Sequence, residues 1–86
     1  MTAPLHKLRV DQTLDARGLP GPEGYRQALA RLRQMPENDV LELHLDEGEP
    51  LRTVPFALRA DGHEILVSEP ANGGVRLLVR RRALIA

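Results

Sequence analysis

The chain has 86 residues, which is enough for one small domain and leaves no room for a second hydrophobic core. It contains no cysteine, which excludes a disulfide framework, an iron–sulfur site, a cysteine-based zinc site and a thiol nucleophile. Its 12 basic and 12 acidic side chains balance, which disfavours nucleic-acid binding through a general basic excess.

The sequence shows no signal for secretion or membrane insertion. No stretch approaches the ~18 consecutive apolar residues of a membrane span, and the first ten residues lack the apolar region of a signal peptide. We therefore expect a cytoplasmic protein with no membrane segment. We expect residues 1–86 to form one domain, with Met1–Pro4 and Ala83–Ala86 as loose ends or an extension. Packing of the last four residues on a second copy would make a homodimer; otherwise the protein is a monomer.

The chain begins with a strand pattern that leads into a loop. Leu8, Val10 and Leu14 alternate with polar and charged residues, which predicts a half-buried strand over residues 8–14. The following segment, RGLPGPEG at residues 17–24, is rich in glycine and proline and predicts a loop.

Helical spacing follows the loop. Apolar residues recur three and four positions apart at Tyr25, Ala28, Leu29 and Leu32. Gly21 suits the cap of this helix and Pro22 its first position. Pro36 predicts that the helix ends near Met35.

A second strand and a second helix come next. Residues 40–46 alternate between apolar and polar side chains, which predicts a strand. Helical spacing then appears at Pro50, Leu51, Val54 and Leu58. Because Pro55 lies inside that pattern, we expect it to kink the helix or to confine it to a short piece.

Two further strands complete the chain. Residues 63–68 and 75–82 predict strands, and Ala71-Asn72-Gly73-Gly74 between them predicts a hairpin turn. The element order is therefore β-α-β-α-β-β, because helical crossovers allow the first three strands to run parallel and the hairpin reverses the last. We expect an α+β fold: a two-layer sandwich of a four-stranded mixed sheet with two helices on one face.

The uncovered face of the sheet is a candidate site for a protein partner. We expect it to carry Glu42, His44, Asp46, Leu66, Arg76, Leu78 and Arg80. If the second and fourth strands are antiparallel neighbours, opposite charges meet across the ladder. The expected pairs are Glu42 with Arg80, His44 with Leu78 and Asp46 with Arg76. Leu66 and Leu78 would be exposed as a small apolar patch, which is compatible with a docking surface and equally with scattered surface leucines.

A motif in the first loop resembles that of a known family. The segment Asp15-Ala16-Arg17-Gly18-Leu19-Pro20-Gly21-Pro22-Glu23-Gly24 is similar to the Asp-x-Arg-Gly-Leu-x-Cys-Pro-x-Pro motif of the TusA/SirA sulfur-carrier proteins. Val54-Pro55 resembles the Ile-Pro of the family's second helix, and Gly62-His63-Glu64 resembles its entry into the third strand. The resemblance covers roughly residues 8–82. It implies a two-layer sandwich with the strand order 1-2-4-3.

The sequence departs from the family motif at the residue that carries the chemistry. The persulfide-forming cysteine of the family falls on Gly21, and the second proline of its motif falls on Gly24. The family places this thiol at a helix N-terminus, where free N–H groups and the helix dipole favour a thiolate. Since no other cysteine exists in the chain, we expect no covalent sulfur transfer and no catalytic residue.

The rest of the loop motif is a candidate site at the helix N-terminus. It comprises Asp15, Arg17, Gly18, Leu19, Gly21, Pro22 and Glu23. Asp15 and Arg17 could orient a partner, but the simpler interpretation is that Asp15 accepts loop N–H groups while Arg17 holds the loop. Backbone N–H groups of the loop could also bind an anion, although Pro20 and Pro22 remove two donors.

Metal and nucleic-acid sites have weaker support. His6, His44 and His63 are isolated in the sequence and lack the paired spacing of metal ligands, so we expect no metal and no cofactor. Arg80, Arg81 and Arg82 form a basic cluster with Arg76 that could contact RNA or DNA. However, the chain has only two aromatic side chains on which bases could stack.

These observations lead to one principal hypothesis and two alternatives. The principal hypothesis is a TusA/SirA-like domain without the thiol that serves as a non-catalytic protein-interaction or regulatory module in sulfur trafficking or a related redox pathway. The first alternative is a non-covalent accessory to a sulfurtransferase. The second is a nucleic-acid-binding module that uses the C-terminal arginine cluster.

Overall fold

The computed structural model describes residues 9–82, which form a four-stranded sheet and two helices. The elements are β1 (Gln12–Asp15), α1 (Gly21–Arg33), β2 (Val40–Leu45), α2 (Glu49–Ala60), β3 (Glu64–Ala71) and β4 (Gly74–Arg80). The strand order is β1-β2-β4-β3. β1 and β2 are parallel, and β4 is antiparallel to both of its neighbours. The α+β fold, the element order and the spatial order of the strands are therefore confirmed.

The terminal segments and one histidine are not among the described residues. The predictions for Met1–Pro4, Ala83–Ala86 and His6 consequently lie outside them. Within residues 9–82, neither helix is long and apolar enough to cross a membrane.

The first strand is shorter than its alternation predicts. β1 begins at Gln12, so residues 9–11 are not part of it, and the prediction for Leu8 lies outside the described residues. Just before it, the Asp11 side chain accepts the backbone N–H of Val40 at 2.9 Å. The backbone N–H of Asp11 donates in turn to the carbonyl oxygen of Val40 at 2.9 Å, so this reciprocal pair joins the two segments just before regular pairing begins at Gln12.

The second helix continues through its internal proline. α2 spans 12 residues, and Pro55 lies in its middle. The prediction that Pro55 confines the helix to a short piece is therefore wrong. A proline inside a helix removes one backbone hydrogen bond. Here the pyrrolidine ring is buried, as are Val54 and Leu58, and this apolar packing helps to offset the lost bond.

The hairpin between β3 and β4 has the predicted turn. Asn72 and Gly73 both have positive φ, 51° and 82°, as a two-residue type I′ turn requires. The next residue, Gly74, is constrained for another reason. A Cβ atom at Gly74 would overlap the carbonyl oxygen of Leu45, so β4 can approach the end of β2 only without a side chain there.

One face of the sheet and both helices enclose the hydrophobic core. The sheet contributes alternate residues of its two central strands, and each helix contributes one apolar stripe. The core includes Leu41, Leu43, Leu45, Leu77 and Val79 from the sheet, Ala28 and Leu32 from α1, and Val54 and Leu58 from α2. The helices cover this face alone, as predicted.

The register of the central strands differs from the predicted one by two residues. Glu42 lies opposite Leu78, and His44 lies opposite Arg76. Arg80 pairs with Val40 instead of Glu42. Asp46 follows the last residue of β2 and is not part of the sheet face. Alternation fixes which face a residue occupies but not its partner across the ladder, which depends on strand ends and turns.

The predicted apolar patch is not exposed. Leu78 is only 3% exposed, although it lies outside the main core. It sits on a central strand between Glu42 and Val67, with Arg76 two positions away on the same face. Long charged side chains on such a face can cover an apolar neighbour. Leu66 is half-buried at an irregularity between Ile65 and Val67, where the register of β3 shifts, so it does not pair beside Leu78 as expected.

Candidate functional site

The loop between β1 and α1 is held by the pair Asp15 and Arg17. The Arg17 guanidinium donates two hydrogen bonds of 2.9 Å to the two carboxylate oxygens of Asp15. The backbone N–H of Arg17 also donates to Asp15, at 3.1 Å. These contacts lower the pKa of Asp15 well below its usual range, because both the guanidinium and the backbone N–H favour the carboxylate. These contacts are the ones that the structural interpretation of this pair expects.

Two more carboxylates bind the backbone of the same loop. Gly18 N–H donates to the Asp46 carboxylate at 2.7 Å, and Gly21 N–H donates to Glu49 at 2.8 Å. Pro20, between them, has no N–H. The donors that could have held an external anion at Gly18 and Gly21 are thus taken by side chains of the protein itself.

The position of the family cysteine is filled from the second helix. Gly21 is buried at the start of α1. A Cβ atom there would overlap the carboxylate oxygen Oε2 of Glu49 and would lie 2.8 Å from the Cβ of Thr53. Thr53 Oγ1 donates a hydrogen bond of 2.7 Å to that same oxygen. Glu49 thereby occupies the space that a side chain at position 21 would need.

Both helices direct their N-termini to this place. Gly21 is the first residue of α1, and Glu49 is the first residue of α2. One turn into α1, Gly24 lies beside α2, where an added Cβ would be 3.7 Å from Val54. The partial positive charges of two helix N-termini favour a carboxylate there. The bonds from Thr53 and Gly21 lower the pKa of Glu49, so it is ionised at neutral pH.

The other residues of the predicted loop site have ordinary roles. Leu19 is half-buried and packs against the core. Pro22 is exposed in the first turn of α1. Glu23 pairs with Arg26 on the surface of that helix. None of these three contacts Glu49 through a hydrogen bond within residues 9–82.

A shallow groove lies next to the loop end of the molecule. Its volume is about 380 Å³. Residues from the start of α2 and from the β3–β4 hairpin line it: Glu47, Gly48, Leu51, Ser68, Glu69, Pro70 and Val75. The sequence did not single out this groove, because its two walls are about twenty residues apart in the chain.

The open face of the sheet carries a chain of charged contacts. Arg76 donates to Glu69 at 2.6 Å, and its Nε lies 3.5 Å from the Glu42 carboxylate. Glu42 in turn contacts His44 Nε2 at 2.6 Å. The hydrogen bond from His44 and the charge of Arg76 lower the pKa of Glu42. Opposite charges do meet on this face, but not in the predicted pairs: Arg76 lies directly opposite Glu69 on β3 and diagonally from Glu42 on β2.

The two histidines among the residues that the structure describes, His44 and His63, have different surroundings. His44 belongs to the charged chain of the open face. His63 precedes β3, is 6% exposed, and accepts the backbone N–H of Arg82 on Nδ1 at 3.2 Å. Among the residues that the structure describes, no group of three histidine or carboxylate side chains is arranged to hold a metal ion.

The C-terminal arginines do not form one continuous basic surface. Arg80 and Arg82 both approach Glu64, at 3.3 and 3.9 Å. Arg81 instead donates to the carbonyl oxygen of Leu32 at 2.8 Å, at the end of α1. Two of the three therefore approach a carboxylate, and the third supports the helix.

Comparison with known protein families agrees with this geometry. The family described as sulfurtransferase TusA matches residues 12–81. The fold, the loop motif and the parallel helix N-termini define a two-layer domain of the sulfur-carrier type. The chain belongs to the TusA sulfurtransferase family, and it lacks the cysteine of that family's motif.

Sequence reasoning missed two residues of this site, Glu49 and Thr53. It placed a third, Asp46, on the open face of the sheet. Glu49 and Gly21 are 28 positions apart, and no motif joins them. A signal did exist in the topology. Both helices follow parallel strands, so both begin at the same edge of the sheet, and an acidic residue at the start of the second can reach the first.

Proposed function

We propose that this TusA-family protein acts without carrying sulfur, as a cytoplasmic protein-interaction or regulatory module in sulfur trafficking or a related redox pathway. The observation that supports this proposal is the state of the family loop. The Asp15–Arg17 pair and the helix N-terminus are intact, whereas position 21 has no side chain. The loop keeps a shape that partners can recognise, but it lacks the sulfur atom that forms the persulfide.

The proposal requires binding to a protein partner that depends on the loop. Purified protein immobilised through either terminus should retain a partner from extracts of the native host at physiological salt. The same partner should be lost with Arg17→Ala, because this change frees the loop from Asp15. Arg26→Ala is the matched control: it removes an exposed arginine that pairs with Glu23 on α1, and it should retain the partner.

Two other outcomes would replace the proposal. Recovery of nucleic acid, in amounts that fall steeply with salt and on Arg80→Ala, would favour the nucleic-acid alternative. Absence of any partner, combined with faster sulfur transfer when the protein is added to a purified persulfide donor and acceptor, would favour the non-covalent accessory. A stable gain of one sulfur atom in the intact mass would contradict the claim that the chain carries no sulfur.

A further inference from the structure

The N-terminus of α1 already binds an anionic group, which is the side-chain carboxylate of Glu49. α1 has Pro20 at its N-cap position, and no side chain of that residue caps the helix. Glu49 supplies the missing acceptor from α2, through the 2.8 Å bond from Gly21 N–H. Its second oxygen is bonded to Thr53. Both carboxylate oxygens are therefore occupied, one from each helix.

We propose that Glu49 closes the N-terminus of α1, so that this protein excludes an anionic sulfur from the carrier position independently of its missing thiol. Glu49 is then a specificity-determining residue. This inference deepens the proposed function, since it concerns the same loop, but it does not depend on the identity of a partner.

Steric and electrostatic effects act in the same direction. A side chain at position 21 would overlap Glu49 and crowd Thr53, so Glu49 would have to move. If Glu49 stayed nearby, its negative charge would oppose ionisation of a neighbouring thiol. The carboxylate would also compete for the Gly21 N–H that otherwise stabilises a thiolate. Restoring the cysteine alone should therefore not restore a reactive sulfur site.

The decisive experiment reintroduces the thiol with and without Glu49. Gly21→Cys, Gly21→Cys/Glu49→Ala and Gly21→Cys/Glu47→Ala are treated with iodoacetamide over a range of pH, and alkylation is followed by intact mass. We expect the Glu49→Ala combination to react about tenfold faster near neutral pH than Gly21→Cys, which corresponds to a thiol pKa about one unit lower.

The Glu47→Ala combination is the matched control. Glu47 is an exposed carboxylate two positions away at the same end of the molecule, and it makes no hydrogen bond or ion pair within residues 9–82. Its removal should leave the alkylation rate close to that of Gly21→Cys. Equal rates in all three proteins would overturn the inference, and so would equal acceleration by both alanine substitutions.

A second measurement needs no cysteine and so does not depend on whether those variants fold. The amide shift of Gly21 is followed by NMR as the pH is lowered. We expect it to change with a midpoint below 4.5, the ordinary pKa of glutamate, and to lose this change in Glu49→Gln. The Gly18 amide, which is bonded to Asp46, should be unaffected by Glu49→Gln. A Gly21 amide that titrates identically in both proteins would contradict the proposed contact.

These tests separate failure of the inference from failure of the proposed function. Both use purified protein and no partner. A thiol that is equally reactive with and without Glu49 would leave the interaction role standing. Loss of the interaction role would leave the closure of α1 unchanged.

Discussion

Residues of two matched segments, Asp15 in the loop motif and His63 before β3, make structural contacts in a chain that lacks the cysteine of the family motif. Asp15 accepts the backbone N–H of Arg17 and two hydrogen bonds from its guanidinium, and these bonds define the course of the loop. His63 lies in a second matched segment and is buried against the end of the described chain. Motif residues thus serve as packing and hydrogen-bonding elements in a chain without the reactive group.

His63 makes stability depend on pH near neutrality. Burial lowers its pKa below the ordinary value of 6.5; Arg81 acts in the same direction, and Asp61 opposes it. As the pH falls below 6.5, the unfolded chain therefore binds a proton on His63 before the folded protein does. The urea midpoint should fall between about pH 7.5 and about pH 5.5.

A histidine variant tests this assignment. His63→Gln should show a smaller fall of the urea midpoint than the unmodified protein over the same range. The assignment is wrong if His63→Gln and the unmodified protein have the same pH dependence.

At the scale of the element, α2 has a buried apolar face and an exposed polar face, and the boundary between them is sharp. Leu58 is fully buried in the core, whereas Phe56, two residues earlier, is 60% exposed. The guanidinium carbon of Arg59 lies 5.8 Å from the centre of the Phe56 ring, an exposed cation–π contact. The difference between the two positions follows from helical periodicity rather than from hydrophobicity.

Alanine substitution should distinguish these two positions. Leu58→Ala should lower the free energy of unfolding by about 2–5 kcal/mol, because it removes buried methyl groups and leaves a cavity. Phe56→Ala should change it by less than about 1 kcal/mol. Urea unfolding followed by circular dichroism measures both, and a comparable loss from the two variants would show that α2 packs in another orientation.

The β3–β4 hairpin depends on the conformation of its turn. Gly73 has φ +82°, a conformation that costs a residue with a side chain about 1–2 kcal/mol. Gly73→Ala should reduce the free energy of unfolding by about that amount. Asn72→Gly, at φ +51°, should be tolerated. Equal destabilisation by the two changes would indicate that the turn has a different conformation in solution.

At the scale of the whole molecule, parallel strands and crossover helices place three carboxylates around one loop. Asp15, Asp46 and Glu49 come from three different segments and bind backbone N–H groups at Arg17, Gly18 and Gly21. The place where the family presents a reactive sulfur is, in this protein, negatively charged and internally bonded. Any partner that recognises this end must accommodate that charge.

Acid should weaken the whole fold through these contacts. The pKa values of Asp15 and Glu49 are lowered in the folded protein, by Arg17 and by the Thr53 and Gly21 donors respectively. The unfolded chain therefore takes up protons first as the pH falls below the ordinary carboxylate values, and stability falls with it.

The carboxylate variants give the corresponding test. Asp15→Asn/Glu49→Gln should flatten the loss of stability below about pH 4.5, measured by urea unfolding at several pH values. Glu47→Gln, which removes a carboxylate without such bonds, should keep the original slope. A double variant with an unchanged slope would show that other carboxylates control acid unfolding.

The sequence was informative wherever a property is local. Alternation and helical spacing identified all six elements, and the Asn72-Gly73 pair identified the turn. The sequence also shows directly that the chain has no cysteine. Properties that depend on distant partners were not predicted correctly. The register between β2 and β4 was wrong by two residues, and Leu78 is buried where exposure was expected.

The sequence by itself determined the family, the order of the elements and the absence of the motif cysteine. Each of these depends on residue identity or on short-range periodicity. Only the tertiary structure decided what occupies the place of that atom. Glu49 reaches Gly21 because two helices begin at the same edge of one sheet, although the two residues are 28 positions apart and no motif joins them. A missing side chain can be read from a sequence, but the group that fills its space depends on how distant segments pack together.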